Sequence, residues 1–563
     1  MGTGRVLKIA LAQLNPVLGA LKENAEKILS TCHDLTGKAD LVVFNELVLT
    51  GYPLEDLTRK PFFINRVHDY VDYILENLPD LHPALALSTP WRAVDGKLYN
   101  AILFIENRHI TAVRPKHELP NYGVFDEVRI FDAGPLPEPV NFKSYRLGLM
   151  TCEDMWKPAV TEHLRKTGAE ILIAANGSPF EIEKFHTRVD HARNRVKESG
   201  LPLIYINQTG GQDEIVFDGG SFILDKHGQQ VLLCPSHCEH VAVTSWAPDP
   251  ESNARRILAC TDAPASVPLY DDMQGIYQTL QLGLRDYVEK NGFSGVLVGL
   301  SGGIDSALTA ALAVDALGAE NVLCVAMPSP HSSDDSLKDA KTCAMLMGAR
   351  LETVPIEPAM DALTGMAAPL AAIEGITAEN IQARSRGMFL MTLSNATGHM
   401  VLSTGNKSES AVGYATLYGD MCGTYAPLKD VYKTLVYALT RWRNSNYPDF
   451  SRGPQGRVIP ETVLTKAPTA ELRPHQRDED SLPPYEELDD ILYCLIEKEL
   501  GLDEITARGH APELVNKIWH LLDGAEFKRR QGAPGIKITP KSFGRDRRYP
   551  ITNRFISLLA DAA

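Results

Sequence analysis

Between Val296 and Ser306 the chain reads Val-Leu-Val-Gly-Leu-Ser-Gly-Gly-Ile-Asp-Ser and then becomes rich in Ala and Leu. The apolar run predicts a buried strand. The Ser301-Gly302-Gly303 turn after it lets backbone approach a ligand closely, and the helix that follows offers unpaired N–H groups at the positive end of its dipole. The chemistry available there is anion binding, with phosphate the natural ligand. This is not the Walker form, because no Gly-Lys-Ser/Thr ends the turn. Far upstream, Cys152 follows the apolar run Arg146-Leu-Gly-Leu-Met. A thiol of ordinary pKa is mostly protonated at neutral pH, so it attacks a carbonyl only beside a base or a cation. Taken singly, Cys152 is more plainly a small buried core residue, whereas strand, turn and helix in this order favour anion binding over an ordinary Gly-rich turn.

These groups need elements to hold them. A chain of 563 residues is too long for one core, so two or more domains are expected. With 44% hydrophobic and 23% charged residues it has the composition of a soluble globular protein, and no apolar run approaches the ~20 residues of a membrane span. The N-terminus carries charge within a short apolar run and predicts a first strand, not a signal peptide. Nine scattered cysteines without a CxxC pair indicate neither a disulfide framework nor a zinc site, which fits a reducing cytoplasm. A net charge of −15 argues against nucleic acid and anionic membrane as partners.

Residues 1–246 alternate short apolar runs with amphipathic stretches, among them Leu41-Val-Val-Phe, Ala84-Leu-Ala-Leu, Ile171-Leu-Ile-Ala-Ala and Leu203-Ile-Tyr-Ile. Residues 247–270 are rich in Pro, Asp and Ser and read as a linker. From residue 271 to 563 a helical pattern leads into the Val296 strand, and strands at Asn321–Met327 and His399–Thr404 follow. That βαβ order predicts an open parallel sheet with ligand at its carboxyl edge. Residues 466–484, polar and punctuated by proline, read as a mobile loop.

Glu46 closes the strand Leu41-Val-Val-Phe-Asn-Glu46, Lys116 lies in Arg114-Pro-Lys116-His-Glu-Leu-Pro-Asn-Tyr-Gly-Val-Phe-Asp-Glu127, and Cys152 lies in Gly148-Leu-Met-Thr-Cys152-Glu-Asp. On these residues the first 245 positions or so resemble the nitrilase, or carbon–nitrogen hydrolase, superfamily. The resemblance implies an α-β-β-α sandwich and a Glu–Lys–Cys triad at strand ends. Glu46 would be the base, Cys152 the nucleophile and Lys116 the oxyanion stabiliser. Asp126 or Glu127 would supply an auxiliary carboxylate. Tyr52, Glu153 and Ser178 are the candidates for holding a glutamine head group; strand-end turns also use such residues structurally. His186 and His191, in a polar helical stretch, read as solvated.

The Ser301–Ser306 turn resembles the loop of ATP pyrophosphatases of the adenine nucleotide alpha hydrolase-like fold. With Ser403-Thr404-Gly405-Asn406-Lys407-Ser408-Glu409, Tyr425 to Lys433 and Pro468-Thr469-Ala470-Glu471-Leu472, the second half resembles NAD synthetase. A nitrilase-like domain ahead of it is the architecture of the glutamine-dependent members, so the implied fold class is α/β throughout, with a doubly wound parallel sheet in the second half. The resemblance implies ATP contacts by Ser301, Gly303, Asp305, Ser306, Thr404, Lys433 and Thr469. Asp305 and Glu409 would hold Mg2+, a hard cation that takes carboxylates and phosphate oxygens, with Asp420 as a further ligand or support. Arg384, Glu409 and Lys528 would face deamido-NAD+; for Arg384 a surface salt bridge is the alternative.

The implied activity is that of a carbon–nitrogen ligase. ATP adenylylates deamido-NAD+, and ammonia released from glutamine, expected to travel an enclosed path, amidates it to NAD+. A homo-oligomer is expected. GMP synthetase joins the same functions but uses a different glutaminase, with a nucleophile-elbow cysteine and a histidine. A degenerate N-terminal module is the other alternative, against which Glu46, Lys116 and Cys152 stand together. The basic stretch from Lys528 to Arg554 lacks a nucleic-acid motif. It is either a solvated or subunit-contacting tail or, as preferred here, a contact for the substrate's phosphates.

Overall fold

Short runs of Val, Ile and Leu form the strands of the computed structural model, which describes residues 6–252, 256–474 and 476–555. The described chain divides into two compact units. The first holds residues up to Gln212 and Val216–Tyr270, and the second Asp213–Ile215 and the chain from Asp271 onward.

The first unit contains β1 (Leu7–Gln13), β2 (Leu41–Phe44), β3 (Ala84–Arg92), β4 (Leu98–Glu106), β5 (His109–Pro115), β6 (Val140–Phe142), β7 (Tyr145–Thr151), β8 (Ile171–Asn176) and β9 (Leu203–Asn207). It continues with the ribbon β10 (Thr209–Gln212) and β11 (Ile215–Asp218), then β12 (Phe222–Leu224), β13 (Gln230–Leu233), β14 (His240–Pro248) and β15 (Leu258–Asp262). One sheet runs β15-β14-β1-β2-β3-β4-β5 and the other β13-β12-β9-β8-β7-β6. The sheets face each other through an apolar layer that includes Ile9, Val43, Phe104, Leu149, Ile173 and Trp246. Successive strand residues point to opposite faces, so the alternate set packs outward. Val42, Phe44 and Leu85 meet Ile28, Val67 and Val71 of helices Leu21–Asp34 and Pro61–Asn77. On the other side Leu172 and Ala174 meet Val189 and Val196 of helix Lys184–Ser199. The expected α-β-β-α sandwich is the architecture found.

Residues 247–270 are not simply a linker. β15 pairs antiparallel with β14 and lies at the edge of the seven-stranded sheet, with Leu258 buried. The strand is short and its exposed half is polar, which left no alternation for the sequence to display. Residues 1–5, the start of the expected first strand, lie outside the described residues.

The second unit is built on β16 (Val296–Gly299), β17 (Val322–Ala326), β18 (Arg350–Thr353) and β19 (Met400–Leu402), ordered β18-β17-β16-β19 and parallel throughout. Leu390 of helix Ile376–Thr397 packs with Leu297, Val325 and Val401. Helix Ile304–Leu317, almost entirely buried, follows β16. The strand order reverses between β16 and β19, and the crevice outside the carboxyl ends at such a switch point is where open α/β sheets bind ligands. Residues 466–484, expected as a mobile loop, are tied down: Glu471 accepts from Ser333 and Ser336, and Thr469 Oγ1 donates to the Gln476 carbonyl. Among the described residues no helix is long and apolar enough to cross a membrane.

Candidate functional sites

In the first unit three strand ends converge. Glu46 lies two residues beyond β2, Lys116 immediately after β5, and Cys152 immediately after β7. Lys116 Nζ sits 2.8 Å from Glu46 Oε1 and 2.8 Å from Glu127 Oε1, with all three side chains buried. Burial alone would strip the ammonium of its proton, but the charges of Glu127 and Glu46 outweigh it and hold the lysine well above its usual pKa. Burial, opposed by Lys116 and assisted by Glu46, pushes the Glu127 carboxyl up to about 7.

Cys152 occupies a turn with φ 43° and ψ −98°, a left-handed conformation costly for a side chain bearing Cβ. Its N–H donates to the Ala175 carbonyl, which pins the strained residue to β8. The thiol is pushed well up by burial and then by the negative charge of Glu46, with Lys116 opposing. At rest it is a thiol beside a carboxylate. Asp154 accepts the N–H groups of Thr151, His117 and Glu118, so one buried carboxylate locks the segments after Lys116 and around Cys152 together.

Burial separates Asp126 from Glu127. Glu127 meets Lys116, whereas Asp126 is partly exposed and pairs with Arg129 at 2.6 Å. Tyr52 donates to Glu127 Oε1 at 2.8 Å. Glu153 accepts from Tyr122 at 2.8 Å. Ser178 Oγ accepts from Arg188, whose guanidinium also grips Asp218 and the carbonyls of Ser178 and Pro179. His186 is exposed and His191 packs its ring on Trp156. Sequence reasoning missed Asn100, the Gly177 N–H, Tyr122 and Arg188. The Asn100 amide and the Gly177 N–H both donate to Glu46. Nothing local marks Asn100, in Leu98-Tyr-Asn100-Ala, as anything but strand.

In the second unit a cavity of about 330 Å³ lies at the switch point and is lined by Ser301–Ser306, Thr404, Glu409, Lys433, Thr469 and Lys528. Gly302 has φ +85°, and a Cβ there would lie 2.2 Å from the Ser336 carbonyl oxygen, so only glycine fits. Ser306 Oγ donates to the Gly303 carbonyl and receives the Ser301 N–H, which shapes the turn. Asp305 is gripped by Asn406 Nδ2 at 2.8 Å and by Lys433 Nζ at 2.5 Å. Asn406 caps the helix Lys407–Val412 by accepting the Glu409 N–H, and Glu409 reaches Lys433 at 3.2 Å. Burial, then Lys433 in opposition and Asp305 in support, sets the Glu409 carboxyl at about 7. Two carboxylates thus converge on one cation, a donor set of the kind a magnesium ion shares with phosphate oxygens. Among the described residues no cluster of three or more metal-binding side chains occurs.

Three further expectations bear on this cavity. Asp420 lines the cavity, is fixed by the Thr416 N–H and its charge is felt by Lys528, while Lys433 and Glu409 feel Asp478, which lines it too. Arg384 is exposed, donates to the Leu417 carbonyl and does not line the cavity; Arg386, two residues on, does. Adjacent polar residues on one helix look alike in sequence, and only the helix's seating separates them. The basic tail is partly internal: Arg529 pairs with Glu526, Lys537 with Asp546, and Arg547 with Asp523 and Glu526, while Arg530, Arg548 and Arg554 are exposed. Lys528 does line the cavity, with Nζ 2.8 Å from the carbonyls of Gly413 and Ala415.

Comparison with known proteins matches residues 8–247 to the carbon-nitrogen hydrolase family and residues 276–532 to the NAD synthase family. A glutamine-dependent NAD(+) synthetase of Rhodobacter capsulatus is 45% identical over 554 residues, spanning 97% of this chain and 98% of the relative. The solved structure of the glutamine-dependent NAD+ synthetase from Acinetobacter baumannii in complex with ADP matches with a TM-score of 0.76 and 39% identity over 98% of this chain and 99% of its own. The corresponding Cytophaga hutchinsonii structure has a TM-score of 0.81 at 22% identity, covering 99% of both chains, a likeness of fold.

Proposed function

The chain belongs to the glutamine-dependent NAD(+) synthetase family, and from that premise we propose how its two sites divide the labour of a ligase that makes NAD+, AMP, pyrophosphate and glutamate from deamido-NAD+, ATP, glutamine and water. The observation that carries the proposal is the buried meeting of Glu46, Lys116 and Cys152 in a chain that also holds the Ser301–Ser306 cradle.

Glu46 takes the Cys152 proton as sulfur attacks the glutamine carboxamide carbon, so the S–H bond breaks as the C–S bond forms. Lys116 stays protonated beside Glu127 and offsets the charge that develops on the carbonyl oxygen. Glu46 returns its proton to the departing nitrogen, leaving ammonia and a thioester. It then deprotonates water, which releases glutamate and restores the thiol. Tyr52, Glu153 and Ser178 are the side chains of this site offered to the rest of glutamine.

In the second unit, the turn at Ser301, Gly303 and Ser306 with Thr404, Lys433 and Thr469 holds ATP; that a relative was solved in complex with ADP supports an adenine nucleotide as a ligand. Asp305 and Glu409 would hold Mg2+, which when bound neutralises phosphate charge. Lys433 stabilises the pyrophosphate that leaves as the nicotinate carboxylate is adenylylated. Lys528 and Glu409 are offered to deamido-NAD+. Neutral ammonia then attacks the mixed anhydride and expels AMP. The scattered cysteines suit a reducing cytoplasm, and a homo-oligomer is the expected assembly, read by light scattering.

The test uses Mg-ATP, deamido-NAD+ and either glutamine or ammonium, with NAD+ and AMP measured. Cys152→Ala should abolish glutamine use and spare ammonium use. Failure of the wild-type protein to make NAD+ from either donor would overturn the assignment, and normal glutamine use by the variant would overturn the triad.

A further inference from the structure

Asn100, on β4, is fully buried and does two things at once. Its side-chain amide donates to Glu46 Oε1 at 2.7 Å, and its backbone carbonyl receives the Lys116 N–H at 2.8 Å. The direction of the side-chain bond is fixed chemically. An ionised carboxylate only accepts, so the amide nitrogen must face it. That orientation leaves Asn100 Oδ1 buried without a hydrogen-bond partner among the described residues. Buried carbonyl oxygens are rarely left so, and a residue serving only to fill space needs no amide at all.

Counting donors around Glu46 sharpens the point. Oε1 receives both Asn100 Nδ2 and Lys116 Nζ, while Oε2 receives the Gly177 N–H. A carboxylate oxygen offers about two lone-pair positions, so Oε1 is saturated and Oε2 retains one. Among the groups of the site, Lys116, Glu127 and Tyr52 face one another through Glu127 Oε1. Cys152 is the remaining one, and its N–H is held by the Ala175 carbonyl, two residues before the Gly177 N–H that Oε2 accepts.

We propose that Asn100 is a positioning residue of the glutaminase site: by saturating Glu46 Oε1 together with Lys116, it directs the free position on Oε2 to accept the Cys152 proton. The step balances within the site, with the S–H bond broken and an O–H bond formed on Oε2. The proposal rests on the Glu46–Lys116–Cys152 assignment made above.

Asn100→Asp keeps the shape and removes the donor, placing an oxygen against Glu46 Oε1; Asn100→Ser removes the amide in a smaller side chain should the first variant fold poorly. Both keep the backbone carbonyl under Lys116. The expected result is a fall of about 100-fold in kcat for glutamine hydrolysis, the scale of a misdirected catalytic group. KM for glutamine should stay within about twofold, because ground-state binding is untouched. Alkylation of Cys152 by iodoacetamide, read by mass spectrometry of its peptide, should slow in parallel, while ammonium-driven NAD+ synthesis and Tm are retained. Wild-type alkylation and kcat in both variants would overturn the proposal, as would an equal loss of ammonium-driven synthesis. Cys152→Ala assayed alongside separates the two ideas. If it still uses glutamine, the triad assignment fails; if it does not while the Asn100 variants behave as wild type, only the role of Asn100 fails.

Discussion

Both units hold a lysine between two carboxylates, and the two arrangements differ in what surrounds them. Lys116 lies 2.8 Å from each of Glu46 and Glu127, whose side chains are 0% and 3% exposed. Lys433 lies between Asp305 and Glu409, whose side chains are 17% and 19% exposed and open onto a cavity. A sealed pair of carboxylates fixes one proton-transfer geometry and keeps the cation in place permanently. In an open arrangement the carboxylates can exchange the lysine for a divalent ion, and the lysine can exchange a carboxylate for a phosphate. In the roles proposed above, the same charges would serve a covalent step at a buried pocket and an electrostatic one where a large polar ligand must enter.

The comparison is broken most directly by neutralising each lysine. Lys433→Met should cost at least about 1000-fold in NAD+ formation from either nitrogen donor, the scale of losing a preorganised charge at a transition state. Lys116→Met should impose a similar loss on glutamine-driven synthesis alone, with ammonium-driven synthesis as the control. If both variants fail equally with ammonium, the sites are not separable in this way. Stability should order the other way. Removing Lys116 leaves two carboxylates buried unpaired, about 3–5 kcal/mol, whereas the carboxylates around Lys433 can hydrate, and the loss should be nearer about 1–2 kcal/mol. Urea titration of both variants checks the order.

The acid–base behaviour sharpens the likeness. Glu127 and Glu409 each titrate near 7 against an ordinary 4.5. Between those values the folded chain keeps protons that the unfolded chain has released. Their contribution to stability is thus complete below 4.5 and lost as pH rises through 7. Glu127→Gln and Glu409→Gln should each flatten the fall in urea midpoint measured from about pH 5 to about pH 8; an unchanged slope would contradict the burial argument. The smallest effects fall on the neighbours that burial excludes. Asp126→Asn should alter stability by no more than about 0.5 kcal/mol and leave glutamine use intact. Arg384→Ala should be silent where Arg386→Ala weakens ATP-dependent turnover by about tenfold.

Much of this molecule could be read from its residues. The Val296–Ser306 segment announces strand, tight turn and helix in order, since Gly302 must adopt a positive φ and no other residue type would fit against Ser336. The apolar runs around Leu41, Ile171 and Leu203 mark central strands because both faces of each are covered. β18 escaped notice, for its Arg-Leu-Glu-Thr is an exposed edge with no hydrophobic pattern to detect. β15 escaped for the same reason.

By itself, then, the sequence determined the kinds of chemistry: a thiol, a lysine and a carboxylate at strand ends, and a glycine turn ahead of a helix. Side-chain type and local backbone demand are properties of adjacent residues, so they survive in one dimension. Tertiary structure alone decided which of two close residues enters the site, Glu127 and not Asp126, Arg386 and not Arg384. It also brought in Asn100, ordinary in its own strand and decisive only where the end of β2 meets β4. Desolvation and hydrogen-bond direction depend on what lies across space, and no spacing along the chain encodes them.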